Sequence, residues 1–117
     1  MTSMKKITTR PWGNYKILFS NKMCKIKEIK VNPGHRLSYQ YHNKRSETWI
    51  IIKGLASITL NDEEQEYSSG ETVIIPLKAK HRVANNLETE LVFIEVQTGD
   101  YFGEDDIIRI KDDYGRK

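Results

Sequence analysis

Short runs of β-forming residues recur about every ten positions along this chain, and turn signals separate them. YKILFS (15–20) runs into Asn21 and Lys22, and CKIKEIKV (24–31) into NPGH. RLSYQYH (36–42) and TWIIIKG (48–54) flank the polar turn NKRSE, and LASITLN (55–61) runs into DEEQEYSSGE. TVIIPL (72–77) precedes KAKHRVANN, and TELVFIEVQ (89–97) follows. No segment sustains a 3.6-residue period over three turns, so helices are not the building unit. The pattern predicts an all-β sandwich or barrel in a single domain spanning 1–117. The tail GEDDIIRIKDDYGR adds a short strand or turn around Ile107–Ile110. WIIIK and VIIPL are apolar on both alternating sets, which requires a second buried surface beyond the core. A closed double-sheet barrel or a subunit interface supplies it, and a homodimer is expected.

A chain of 117 residues suits one domain with its own core. Charged residues at 30% and hydrophobic residues at 38% argue against disorder. No apolar run approaches a membrane span, and MTSMKKITTR lacks the apolar stretch of a signal peptide. The lone Cys24 cannot form an internal disulfide, so a cytoplasmic setting is expected. A net charge of +3 is too small to imply nucleic acid. Basic residues gather at Lys22, Lys25, Lys27, Lys30, Arg36, Lys44 and Arg45, and acids in NDEEQE and GEDDIIRIKDD. Most of these read as solvated faces, with a minority left to meet an anionic substrate.

The polar residues inside the strands carry the chemistry. With a period of two, Arg36, Ser38, Gln40 and His42 share one face, as do Glu47, Trp49 and Ile51, and His81, Val83 and Asn85. If these faces line one barrel, Gln40, His42, Glu47 and His81 converge. Two imidazoles, a carboxylate and an amide oxygen suit Zn²⁺, Mn²⁺, Fe²⁺, Co²⁺ or Ni²⁺, with positions open for water or substrate. Taken singly, each has a plainer role: a surface histidine at a turn, a loop histidine, an acid paired with Arg45 or Lys53, a turn-capping amide. Burying all four unpaired would cost about 1–3 kcal/mol each, which favours a shared ligand. Trp49 is expected to pack the barrel interior, and Trp12 to pack an N-terminal strand across the barrel or onto a second subunit.

Two spaced motifs extend this reading. Gly34, Gln40, His42, Glu47 and Gly54 stand at the spacing of the first cupin motif, with Gln40 in place of its usual first histidine. Gly70, Pro76, His81 and Asn85 stand in register with the second, with Lys78 where the family has glycine. The chain thus resembles the cupin superfamily, which implies a double-stranded β-helix, or jelly-roll barrel. RPWGNYKIL, VNPGHRLSYQYHNKRSETW and IEVQTGDYFGEDDIIRIKDDYGR further resemble type II mannose-6-phosphate isomerases from Arg10 to Arg116. In that family this cupin is commonly the C-terminal domain of a bifunctional enzyme whose other domain is a mannose-1-phosphate guanylyltransferase. Here the resemblance covers the isomerase half alone, and Thr48 stands where members commonly carry histidine.

The resemblance implies a metal-dependent aldose–ketose isomerase. It would interconvert mannose 6-phosphate and fructose 6-phosphate in mannose, GDP-mannose and polysaccharide-precursor metabolism. The implied cofactor is a divalent metal, Zn²⁺ first, on Gln40, His42, Glu47 and His81. A proton-transfer base is required, with Glu95, Glu104 and Asp105 as candidates. The substrate phosphate needs cations, with Arg36 and Arg45 first and Lys53 and Arg82 next. Two other readings stay open: a non-catalytic sugar-phosphate or sugar-nucleotide-binding cupin serving a separate guanylyltransferase, and another cupin enzyme such as a dioxygenase.

Overall fold

The structure is a computed structural model and describes residues 6–116. Eleven strands, and no helix, form among these residues. They are β1 (Ile7–Arg10), β2 (Gly13–Ser20), β3 (Cys24–Val31), β4 (Tyr39–Tyr41), β5 (Arg45–Lys53) and β6 (Leu55–Leu60). They continue with β7 (Glu63–Ser68), β8 (Thr72–Ile75), β9 (His81–Ala84), β10 (Leu91–Gly99) and β11 (Ile108–Lys111). One sheet has the order β1-β2-β3-β10-β5-β8 and the other β11-β4-β9-β6-β7, with every pair antiparallel. Neighbours in space are often distant in sequence, as β3 beside β10 and β4 beside β9. That is the jelly-roll arrangement expected from the motifs.

The core lies between the sheets. Val31, Trp49, Ile51 and Phe93 from the first sheet join Ala56, Ile58 and Val83 from the second. Burying a side chain such as Phe93 contributes about 1.5–3 kcal/mol. Three strands of the larger sheet, β3, β5 and β10, change character along their inward faces. On β5 the inward set runs Ile51, Trp49, Glu47, Arg45; on β10 it runs Phe93, Glu95, Gln97; on β3 it runs Val31, Ile29, Lys27. Register sets Phe93 beside Ile51, Glu95 between Trp49 and Lys27, and Gln97 beside Glu47. The polar ends therefore stack at one end of the barrel, and that end carries the site.

Two backbone positions shape this end. Gly99 pairs with Arg45, and a Cβ there would lie 2.4 Å from the Lys44 carbonyl oxygen, so only glycine lets β10 approach β5. Lys78 takes φ +65°, the left-handed turn that a glycine would adopt freely, and its N–H donates to the His42 carbonyl at 2.9 Å. The tight turn is thus kept without the family glycine.

Trp12 and Tyr15 pack into the core, as expected for an N-terminal segment lying across the barrel. The polar turn proves shorter than NKRSE, because Arg45 already belongs to β5. DEEQEYSSGE contributes a full strand, β7, whose glutamates face solvent.

Candidate metal centre

Three side chains converge at the polar end. One ligand atom each from His42, Glu47 and His81 lies within 4.8 Å of the others, and all three residues are buried. His42 directly follows β4, Glu47 lies on β5 and His81 opens β9, so the cluster bridges the two sheets.

Each imidazole is aimed by its other nitrogen. Nδ1–H of His42 donates to the backbone carbonyl of Asp106 at 2.7 Å, and Nδ1–H of His81 to that of Ala79 at 2.9 Å. With both rings neutral this leaves both Nε2 atoms as lone-pair donors, the arrangement that orients metal-bound histidines, whereas a protonated His42 ring donates its Nε2–H to Glu47. Nε2 of His42 lies 3.2 Å from Oε2 of Glu47. Nε2 of His81 is buried without a hydrogen-bond partner. Such an orphan costs about 1–3 kcal/mol unless something fills its lone pair. A divalent cation does so, and the two imidazoles and carboxylate fit one with a position left open.

Glu47 is held from three sides. Arg45 Nε donates to Oε2 at 2.8 Å and Trp49 Nε1 to Oε1 at 2.9 Å, while His42 approaches Oε2. Burial opposes ionisation of Glu47, but the His42 hydrogen bond and the neighbouring positive charges win, so its carboxyl stays well below the ordinary range. Burial pushes the His81 imidazole down, which favours the neutral form that binds metal. Burial also opposes charge on His42, yet the hydrogen bond and charge of Glu47 outweigh it and raise its pKa.

A cavity of about 50 Å³ opens beside the cluster. The three clustered residues do not line it. Gln40 and Arg45 do, and Arg45 also touches Glu47 and His42, so it stands between cluster and cavity. Gln40 is the register partner of His81 and shares its face. Its Oε1 accepts from Ser38 Oγ at 3.0 Å. Glu95 also lines the cavity, accepts from Gln97 Nε2 at 2.6 Å, and is pushed up to about 7 by burial and then by the charge of Glu47. Glu104 lines the cavity too, bonded to Lys27 at 2.7 Å.

Other sequence candidates lie elsewhere. Arg36 does not share the ligand face: it forms an isolated bridge with Ala84, is exposed, and is bidentate to Asp113 at 2.6 and 2.9 Å. The pleat is interrupted between Arg36 and β4, so alternation does not carry through. Lys53 is exposed at the far end of β5, six residues and about 20 Å from Glu47. Arg82 alternates outward between His81 and Val83 and donates to the carbonyls of Leu37 and Lys111. Asp105 is exposed and accepts from the Tyr101 hydroxyl. Thr48 points away from the cluster, as alternation predicts. Asn85 ties its own turn together, donating to the carbonyls of Val31 and Thr89.

Sequence reasoning missed Asp106, whose carboxylate accepts from the N–H groups of Asn43 and Lys44 and so pins the turn after His42. It also missed the cavity cations Arg10, Lys27, Arg109 and Arg116. Lys27 was within reach, since Ile29 and Val31 set its phase on β3.

Comparison with known proteins gives the same architecture and a family. The model of the mannose-6-phosphate isomerase C-terminal family matches residues 1–112. The alginate biosynthesis protein AlgA of Pseudomonas aeruginosa is 43% identical over 107 residues, which cover 92% of this chain and 22% of that protein. The mannose-1-phosphate guanylyltransferase ManC of Salmonella typhimurium is 40% identical over 107 residues, with the same two coverages. The chain thus spans under a quarter of the length of the curated relatives it matches. Among solved structures, an RmlC-like cupin from Shewanella frigidimarina superposes with a TM-score of 0.74 at 16% identity, covering 86% of this chain and 87% of that one. That last likeness concerns the fold alone.

Proposed function

The chain belongs to the mannose-6-phosphate isomerase C-terminal family, and on that premise we propose that it is a metal-dependent isomerase of mannose 6-phosphate and fructose 6-phosphate. The observation that carries the reading is the buried His42–Glu47–His81 cluster, with the orphaned Nε2 of His81, set beside a cavity lined by Glu95. Gln40 is the fourth metal donor, supported by its register with His81. Zn²⁺ is the first choice of ion for two imidazoles, a carboxylate and an amide oxygen. Bound there, it would supply Lewis-acid stabilisation of the sugar oxygens at C1 and C2.

The chain's own residues would do the rest. Isomerisation takes a proton from C2 of the aldose and returns one to C1. Glu95 is the proton carrier, since a carboxyl tuned to about 7 can both accept and release a proton near neutrality. Glu104, bonded to Lys27, tunes the charge of the cavity and is not needed for the proton step. Arg45 and Trp49 hold Glu47 ionised and fixed in orientation. The test is to load purified protein with metal, supply mannose 6-phosphate and assay fructose 6-phosphate. Absence of product from protein with a full metal complement would sink the reading.

A second reading has its own support. The relatives include proteins named as mannose-1-phosphate guanylyltransferases, in which the matched region is the smaller part. A domain that binds sugar phosphate without turnover, beside such an enzyme, would show saturable binding in place of product. The setting we propose is cytoplasmic and the assembly a homodimer, the latter supported by outward-facing Ile50, Ile52 and Ile74 on β5 and β8.

A further inference from the structure

The cavity carries more positive charge than its own acids answer. Five cationic side chains line it, Arg10, Lys27, Arg45, Arg109 and Arg116, against the carboxyls of Glu95 and Glu104. Lys27 pairs with Glu104, Arg45 with Glu47 and Arg116 with Asp112. Among the described residues Arg10 has no carboxylate partner. Its Nη1 donates to the Thr9 carbonyl at 3.1 Å and its Nη2 to the Tyr15 hydroxyl at 3.4 Å.

Arg10, Arg109 and Arg116 come from β1, β11 and the segment after β11, so no local repeat explains their meeting. We propose that Arg10, Arg109 and Arg116 form an anion subsite for the phosphate monoester end of the substrate, in the cavity beside the metal cluster. The inference deepens the isomerase reading and rests on it for the identity of the ester. Guanidinium groups present planar forks of N–H donors that match phosphate oxygens, and clustered like charges are relieved when a dianion enters. Crowding is visible in Arg109, whose guanidinium is held below its ordinary range by burial, then by the charge of Arg116, with Arg10 contributing.

Register gives the direction of binding. Arg109 is the partner of Gln40 across β11–β4, and Gln40 is the partner of His81 across β4–β9. Arg109, Gln40 and His81 therefore form one row over three adjacent strands. Two strand spacings separate its ends, about 10 Å. A compact sugar with its phosphate at one end and its carbonyl at the other fits such a row. The subsite thus lies on residues other than Arg36, Lys53 and Arg82.

The test is equilibrium binding of inorganic phosphate, mannose 6-phosphate and mannose to metal-loaded protein, by calorimetry or ³¹P NMR. Arg10→Met and Arg109→Met are compared with Arg10→Lys, and metal content and melting temperature are recorded for each. Expected results are saturable phosphate binding by the unaltered protein and at least about tenfold weaker binding of both phosphates by each Met variant. Metal content should stay unchanged, and Arg10→Lys should recover part of the loss. In turnover the loss should appear in KM more than in kcat. Unaltered protein that binds mannose as well as mannose 6-phosphate overturns the subsite, as do folded Met variants that bind phosphate normally. If phosphate binds as expected but no isomerisation occurs, the subsite stands and the isomerase reading fails. If isomerisation occurs with an unchanged KM in Arg10→Met, the isomerase stands and the subsite fails.

Discussion

Nε–H of Arg45 donates to Oε2 of Glu47 across 2.8 Å, with both side chains buried. The carboxylate that would bind a metal thus already has a fixed positive partner. Removing one member of a buried pair leaves the other charge unanswered, at about 3–5 kcal/mol. Arg45→Met should therefore destabilise the metal-free protein by about that amount in urea unfolding. Added Zn²⁺ should recover part of the loss, because the ion takes over neutralisation of Glu47. A variant as stable as the parent without metal would show that Arg45 does not hold Glu47.

Trp49 hydrogen-bonds the metal centre through Glu47, by the 2.9 Å bond from its Nε1. Trp49→Phe keeps the ring that packs on His81 and Phe93 and deletes that donor. Loss of a group that orients a metal ligand costs about 10–100-fold in metal affinity. Competition with a chromophoric chelator should show a loss of that order. Unchanged affinity would make the indole a packing group alone.

Glu95 should govern both pH dependence and turnover. Its folded pKa of about 7 lies above the ordinary carboxyl value, so the folded protein holds this proton more tightly than the unfolded chain. The stability it contributes is present below the unfolded pKa and is lost as pH rises toward about 7. Metal-free protein should therefore lose stability over that interval, and Glu95→Gln should flatten the loss. With metal, Glu95→Gln should lower kcat by about 10²–10⁴-fold without reducing metal content. Wild-type kcat in Glu95→Gln would remove it from the proton step.

Alternation along β5 and β8 made the barrel legible, because Glu47, Trp49 and Ile51 all face inward as period two requires. His42, Glu47 and His81 could be found the same way, since each lies in or directly beside a continuous strand. Arg36 could not, because its bridge to Ala84 is cut off from β4 and the phase of the pleat is lost between them. Cavity residues such as Arg109 and Arg116 were hidden for a different reason. Their relation to the site depends on β11 returning to pair with β4, a contact about seventy residues long that no local pattern encodes.

The outer face of the larger sheet exposes Ile52 at 49% and Ile74 at 65%. Apolar residues clustered on an exposed sheet face favour burial against a partner. If this face joins two copies, light scattering should give twice the chain mass for the parent, and Ile74→Lys should shift it toward the monomer. A parent that is monomeric at all concentrations would exclude the dimer.

The central claim is that a metal held by His42, Glu47 and His81 drives isomerisation. It is tested most directly by titrating metal-stripped protein with Zn²⁺ and with each alternative ion, while following conversion of mannose 6-phosphate to fructose 6-phosphate. The account predicts that turnover rises with the ion until one is bound per chain, vanishes with chelator, and is absent in His81→Ala. One bound metal per chain without turnover for any of the ions, or turnover indifferent to chelator, would contradict it.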